Sequence, residues 1–316
     1  MRKKLGPILG WVVTIAILVY LFHWKINLVE VRKAIHAAYW WAIPANIVLI
    51  LAVYLADSFA IKKTFGWFVA PLSYREVLVV RGATYLLALV NYTVGQGAIV
   101  YFVNRSRGVP ILRGTAAVLL VMGVNVLMLL LLASLGLVVA ADVPSVFRLV
   151  VLVAYAGLAI YIVLVAVKPR WLASRPIFDV LLSAGVGGHL RAMAVRLPHI
   201  ITLMMLSWFS LAAFGVRVPV DKAVLCLPIV YFVAVLPISF QGLGTSQFML
   251  NYFFSAYAPG VTEGERTAKV VVASLVCQAV AFVLQMIIGV TCMRNQLARN
   301  LGRAQMEGSA TKAAPP

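Results

Sequence analysis

The chain has 316 residues, of which 63% are apolar and only 11% are charged, and its mean hydropathy is +1.00. Because soluble domains average about 45–50% apolar and about 25% charged residues, this composition excludes a soluble globular protein and predicts a membrane protein with several spans. Lys and Arg number 27 against 9 acids, a formal charge of +18. The bases suit an anionic membrane surface, and the longest hydrophilic stretch, residues 168–197, is too short for a nucleic-acid-binding domain.

Six apolar runs have the length of about 20 residues that a helix needs to cross a bilayer. Because every backbone polar group in lipid must be satisfied within its own segment, we expect all six to be helices and the fold to be all-α. The first follows a basic head but lacks an A-x-A cleavage site, so it is interpreted as a retained span and not as a signal peptide. The runs are residues 5–22, 39–61, 115–140, 146–167, 198–216 and 270–293.

Two further apolar runs are interrupted by turn-forming residues. Residues 77–90 are followed by the sequence NYTVGQG and a short apolar piece, and residues 223–236 are followed by PISFQGLG and another. A 14-residue helix spans about 21 Å, less than the hydrocarbon core of about 30 Å. Both runs are therefore predicted to be re-entrant helical hairpins, and the alternative is one tilted, kinked span in each half, which would give eight spans.

The distribution of bases favours the hairpins. If both broken runs cross the membrane, the loops hold 13 bases on each side, with Arg81 left out of the count. If both turn back, 18 bases lie inside and 8 outside. Since cytoplasmic loops carry an excess of Lys and Arg, the second arrangement is preferred, with both termini in the cytoplasm.

With the hairpins, the order span, span, hairpin, span occurs twice and starts from opposite sides of the membrane. This is an inverted repeat, a pattern typical of transporters whose broken helices bind substrate near the midplane. Residues 1–293 are thus predicted to form a single integral membrane domain with repeat halves at about 1–140 and 146–293. Residues 294–316 are polar and rich in small residues, which predicts a disordered cytoplasmic tail.

The two broken segments also carry a family resemblance. Residues 236–247, LPISFQGLGTSQ, resemble the LPxSPGGLGxxE block of the lysylphosphatidylglycerol synthase transmembrane family, the flippase-like domain. Residues 94–97 (VGQG) and 104–109 (NRSRGV) resemble the family's GE…R…GV block. The resemblance implies a bacterial or archaeal inner-membrane protein that moves lipids between leaflets.

Three departures from the family pattern concern charge. Gln96 and Gln247 occupy positions where the family has Glu, and Gln278 stands where it has Arg. Amides carry no proton charge but still form hydrogen bonds, so a proton-coupled cycle through these positions is doubtful. The given sequence shows no counterpart of the synthase domain of the fused family members, so lysyl transfer is not expected of it.

Arg81 lies one turn into the first half-helix. A guanidinium inside the bilayer is costly and suits a bidentate phosphate, so Arg81 is a candidate substrate ligand; alternatively, it extends to the head groups or pairs with Glu76. The other candidates are polar residues and glycines of the broken segments and one residue of the last span. The candidate substrate-binding residues are Arg81, Asn91, Gly95, Gln96, Gly97, Arg105, Ser239, Gln241, Gly242, Gly244, Gln247 and Gln278.

Other polar positions are interpreted as interfacial. Asp57 shares a helix face with Asn46, and because two lysines follow it closely we place it at the membrane interface. The amphipathic stretches 27–38 and 178–197 are predicted to lie on the membrane surface.

These observations predict a lipid or lipid-linked glycan flippase of the inner membrane that moves an anionic amphiphile between leaflets. The expected partner is a membrane phospholipid or polyprenyl-linked lipid, and no nucleic acid, cofactor or metal is expected. The four histidines are dispersed and no nucleotide-binding loop occurs, so an enzyme is not predicted. The alternative is a non-catalytic accessory subunit of a lipid-modifying or envelope-biogenesis complex.

Overall fold

A computed structural model describes residues 5–26, 28–90, 92–139, 145–236 and 239–313, which are mostly helical and contain no strand. A π-helical turn, Leu21–Lys25, follows α1, and 3-10 turns at Phe240–Gly242 and Ser255–Tyr257 flank α11. The helices are α1 (Leu5–Tyr20), α2 (Leu28–His36), α3 (Ala42–Phe68), α4 (Tyr74–Val90), α5 (Tyr92–Arg107), α6 (Ile111–Val139), α7 (Ser145–Val167), α8 (Arg170–Ala173), α9 (Asp179–Ala213), α10 (Val220–Val235), α11 (Thr245–Phe254) and α12 (Glu263–Ala313).

Within the described residues, five helices are long and apolar enough to cross a membrane. A sixth candidate is the pair Trp11–His23 and Leu28–His36, which is bent by 87°. The chain is thus an all-α, multi-pass membrane protein, as the composition predicts. The five helical segments are Ala42–Phe68, Ile111–Gly136, Arg148–Val167, Asp179–Ala213 and Glu263–Arg294.

The first broken run folds back on itself. Arg107, at the end of α5, pairs with Glu76 in the first turn of α4, with 2.6 Å between Nη2 and Oε2. At the other end, a Cβ added to Gly95 would lie only 2.6 Å from the Cβ of Ala88. A continuous helix would separate Glu76 and Arg107 by about 46 Å, so α4 and α5 form an antiparallel pair, called here hairpin 1 (residues 74–107).

The second broken run has the same construction. The backbone N–H of Arg217, just before α10, donates to the carbonyl of Tyr257 at 3.3 Å. Near the turn, a Cβ added to Gly242 would lie 3.0 Å from the Cβ of Ala234. Residues 217–236 and 239–257 therefore run antiparallel to each other and are called hairpin 2.

The two halves pack in an equivalent way. In the first half, α4 packs against α12 and α5 against α6; in the second, α10 packs against α6 and α11 against α12. The equivalent helices α3 and α9 pack on each other, and they are antiparallel because Asn46 contacts Ser210 while Asp57 contacts Arg196. Equivalent helices that run in opposite directions are the geometry of an inverted repeat.

Helix α9 differs from the prediction of a surface helix over 178–197. The helix is continuous from Asp179 to Ala213 except for a kink at Gly185, where φ is 59° and ψ is −178°. His189 and Arg196 lie beyond the kink and are buried. The physical reason is that these polar side chains find partners on neighbouring helices, so they face the bundle and not the head groups.

The C-terminal end also differs from its prediction. Helix α12 continues to Ala313, where a disordered tail was expected for residues 294–316. Residues 294–313 contain four Ala and three Arg, which have high helix propensity and can extend a helix that tertiary packing has already nucleated. Residues 314–316 lie outside the described residues.

Candidate functional site

The two hairpin turns contact each other. Gln241, in the turn of hairpin 2, donates from Nε2 to the carbonyl oxygen of Ala88 in hairpin 1 at 2.7 Å. Gly242 and Gly244 have φ of 75° and 89°, values that glycine adopts without strain. The two glycines thus allow the chain to turn, and the amide of Gln241 connects the two halves.

Gln247 and Gln278 form a second polar connection within the second half. The Gln247 Nε2 donates to Oε1 of Gln278 at 3.1 Å, and the Gln247 Oε1 accepts from the backbone N–H of Gly244 at 2.6 Å. Gln247 is 1% exposed. The Ser239 hydroxyl bonds to that of Thr245 at 2.8 Å. These predicted substrate-binding groups are therefore bonded to the scaffold.

The remaining hairpin candidates are distributed over several environments. Gly95 packs against Ala88, Gln96 is half-buried, and Gly97 and Arg105 are exposed. Asn91 lies outside the described residues. Gly95 and Gln241, from different hairpins, thus both contact Ala88.

Gly95 and Gly97 provide a matched pair for testing the packing of hairpin 1. A Cβ at Gly95 would overlap Ala88, whereas nothing lies within 4 Å of a Cβ at Gly97. We expect Gly95→Ala to lower the free energy of unfolding by about 1–3 kcal/mol through overpacking. Gly97→Ala should leave stability unchanged or raise it by up to about 1 kcal/mol, because alanine favours a helix. Equal effects of the two substitutions on unfolding in mixed micelles would contradict the hairpin contact.

Arg81 belongs to a buried charged cluster that joins four helices. Its Nε lies 2.6 Å from Oδ2 of Asp57 on α3, and its guanidinium carbon lies 5.1 Å from the ring centroid of Tyr85. The other carboxylate oxygen, Oδ1, lies 2.5 Å from Nη1 of Arg196 on α9. The Arg196 Nε donates to Oδ1 of Asn125 on α6 at 3.3 Å. One carboxylate thus bridges two guanidiniums.

The cluster lies well inside the helical bundle. Asp57 is about 22 Å along α3 from Ala42 and about 16 Å from Phe68, at 1.5 Å per residue. The side chains of Asp57, Arg81 and Arg196 are 2%, 14% and 9% exposed. Asp57 is therefore buried between helices, and it forms the ion pair with Arg81, whereas Glu76 pairs with Arg107. The three charges sum to +1, which leaves a buried site that attracts an anion.

Further polar contacts line the interface between α3 and α9. Asn46 accepts from the Ser210 hydroxyl at 2.5 Å, so the face that Asn46 and Asp57 share is directed at α9. His199 Nδ1 lies 3.4 Å from the carbonyl oxygen of Val53. The equivalent helices of the two halves, α3 and α9, thus contact each other partly through polar side chains.

Arg196 is the main residue that the sequence analysis missed. The amphipathic pattern of residues 178–197 predicts a surface helix, which places its bases at the head groups. A signal was present: at 100° per residue, His189, Arg196 and His199 fall within about 80° on one helix face, which continues into the apolar run. A polar face that extends into a span indicates a polar interior.

Comparison of the chain with protein-family models, with curated proteins and with solved structures finds no match. The assignment of the candidate site therefore rests on its geometry and charge alone.

Proposed function

We propose that this chain is a flippase-like transporter of the inner membrane, which moves an anionic lipid or lipid-linked glycan between leaflets. The observation that carries the proposal is the cluster of Asp57, Arg81 and Arg196, buried between helices of both halves with an excess positive charge. A buried charge within spans is costly and is retained where it binds a ligand or lines a path. Arginine fits phosphate oxygens in a bidentate manner.

The architecture supports the same proposal. Two hairpins whose turns meet, related by an inverted repeat, are the arrangement in which transporters expose a central site alternately to each side. The resemblance to the flippase-like family over residues 236–247 points in the same direction. The activity proposed here is transport without covalent chemistry, so the chain is not proposed to be an enzyme.

The two ends of the bundle differ in charge, which gives the proposed orientation. Among side chains that the structure describes, the end where α4 begins and α5 ends has 11 bases and 2 acids, whereas the opposite end has 8 bases and 4 acids. By the positive-inside rule, the first end faces the cytoplasm, and α1 and α12 then place both termini there.

Single cysteines in a background without Cys226, Cys277 and Cys292 test this orientation. We expect Ser106→Cys and Ser174→Cys to be shielded in intact cells from an impermeant thiol reagent, because both lie at the more basic end. Val220→Cys and Val261→Cys, at the opposite end, should be labelled; Val261 is 93% exposed. Labelling of Ser106→Cys from outside would contradict the orientation.

The Arg81 side chain tests the function. If the guanidinium of Arg81 donates to a phosphate oxygen, Arg81→Lys should transport poorly, since Lys offers a point charge without the planar array of donors. We expect Arg81→Gln to transport still less, and Arg75→Gln, an exposed residue of the same helix, to match wild type. The measurement is movement of labelled anionic lipid between leaflets of vesicles that contain equal amounts of each protein. Equal rates for wild type, Arg81→Lys and Arg81→Gln would contradict the proposal.

A second candidate function is an accessory subunit of a lipid-modifying complex. It is favoured by one observation: Gln241, Gln247 and Ser239 are bonded to the scaffold. The vesicle assay separates the two candidates, because only a transporter moves lipid without a partner protein.

A further inference from the structure

Asp57 connects the two halves of the protein through its two carboxylate oxygens. Oδ2 receives Arg81 from hairpin 1, and Oδ1 receives Arg196 from α9 of the second half. Asp57 itself belongs to α3, in the first half. The carboxylate thus forms an ionic link across the interface between the repeats, in surroundings that leave it 1% exposed.

A phosphodiester resembles this carboxylate in the features that the arginines recognise. Each group carries one negative charge shared by two oxygens, and each can accept hydrogen bonds from two guanidiniums at once. A phosphodiester could therefore replace Asp57 between Arg81 and Arg196 without a change in the type of hydrogen bond.

The net charge of the cluster determines which ligand charge it can neutralise. Two arginines and one aspartate sum to +1, so one monoanion brings the site to neutrality. A phosphomonoester, with a charge of about −1.5 to −2 at pH 7, would leave an excess of negative charge beside Asp57. Because an unbalanced buried charge is strongly unfavourable, a diester should bind better than a monoester.

We propose that Asp57 occupies the place of the substrate's phosphate, and that a monoanionic phosphodiester head group displaces it from Arg196 during transport while Asp57 stays paired with Arg81, so that the four charges sum to zero. This inference rests on the proposed function and specifies its substrate class. Displacement breaks the ion pair between Asp57 and Arg196, which releases one link between the halves at the moment the substrate is bound. Return of Asp57 then expels the phosphate, so Asp57 acts in release as well as in selectivity.

Binding of short-chain lipids tests the proposal without requiring transport. The purified full chain in an uncharged detergent is titrated with dihexanoyl phosphatidylglycerol, a diester, with dihexanoyl phosphatidic acid, a monoester, and with dimethyl phosphate, a diester without acyl chains. We expect phosphatidylglycerol to bind more tightly than phosphatidic acid. Saturable binding of dimethyl phosphate would show that the phosphodiester itself is recognised. If phosphatidylglycerol binds more tightly than dimethyl phosphate, the difference in affinity is the contribution of the rest of the lipid. Preference for the monoester would overturn the proposal.

Two variants change the charge of the cluster in opposite directions. Arg196→Gln leaves a neutral pair, and we expect it to weaken binding of phosphatidylglycerol by about 10- to 100-fold, the value of a charge-assisted hydrogen bond. Asp57→Asn removes the competing carboxylate and raises the charge to +2, so it should bind the lipid more tightly but transport it more slowly. Arg191→Gln, an exposed residue of the same helix as Arg196, should bind as wild type does.

The outcomes for Asp57→Asn separate this inference from the proposed function. If wild type moves lipid in vesicles but Asp57→Asn binds the lipid no more tightly than wild type does, the proposed competition between Asp57 and the phosphate is wrong and the transport function stands. If the variants change binding as expected but wild type moves no lipid, the cluster is a binding site and the transport function is wrong. We expect Asp57→Asn to be less stable without ligand, so its binding is measured as stabilisation by the lipid. Arg196→Gln provides an independent test in a neutral cluster.

Discussion

Replacement of Asp57 by alanine is expected to lower the free energy of unfolding by about 3–5 kcal/mol, because it leaves two buried guanidiniums without their shared carboxylate. Both arginines lie largely out of solvent, at 14% and 9% side-chain exposure, so water cannot replace the lost partner fully. Unfolding of the purified protein by titration with sodium dodecyl sulfate in mixed micelles measures this difference.

The matched control is Asp179→Ala. Asp179 is 52% exposed in its side chain and lies 3.8 Å from Arg113, which is 48% exposed. An exposed ion pair contributes about 0–1 kcal/mol, so this variant should be nearly as stable as wild type. If Asp57→Ala were no less stable than Asp179→Ala, Asp57 would not hold the two arginines in the folded protein.

Removal of all three charges should separate stability from transport. In the triple variant Asp57→Leu, Arg81→Met and Arg196→Met, no buried charge is left unpaired, and apolar replacement of a buried ionic cluster is often neutral or stabilising. We expect this variant to fold with at least the stability of Asp57→Ala, yet to move anionic lipid no faster than protein-free vesicles do.

This variant distinguishes a structural cluster from a functional one. A cluster that served only to hold the helices together could be replaced by packed apolar side chains without loss of activity. Transport by the folded triple variant at the wild-type rate would therefore show that substrate does not use the cluster. A control with Arg75→Gln, on the exposed side of α4, accounts for the general effect of losing a base.

The architecture could be predicted from the sequence because it depends on length and on turn chemistry. Apolar runs of 14 residues are too short to cross, and glycine-rich turns permit the chain to reverse, so the two hairpins follow from local information. The contact of Arg107 with Glu76 and that of Arg217 with Tyr257 confirm both reversals.

The candidate site could be predicted only in part, because charge in a sequence does not reveal which helix a side chain faces. Arg81 was recognised since it lies inside an apolar run, but its partner is Asp57 on another helix, 24 positions away. Asp57 was assigned to the interface because of its neighbours in sequence. Arg196 was missed because its amphipathic surroundings resemble those of a surface helix, and only the packing of α9 against α3 and α6 buries it.

The glutamines show a second limit of sequence patterns. Gln241 adjoins Gly242 and Gln247 lies three residues after Gly244, a pattern that indicates ligand binding as readily as it indicates a turn that needs hydrogen bonds. The structure assigns Gln247 to a bond with Gln278 and Gln241 to a bond between hairpins. Polar residues at a tight turn are first required to satisfy the backbone groups that the turn exposes.

The most direct test is a density map of the full chain in a lipid nanodisc that contains phosphatidylglycerol, with a rigid antibody fragment bound to aid alignment. We expect density for one phosphate within hydrogen-bond distance of Arg81 and Arg196, with Asp57 moved away from at least one of them. A map with well-resolved phosphatidylglycerol only at the protein surface, and with the Asp57 carboxylate still bridging both arginines, would contradict the central claim that the anionic head group passes through this cluster.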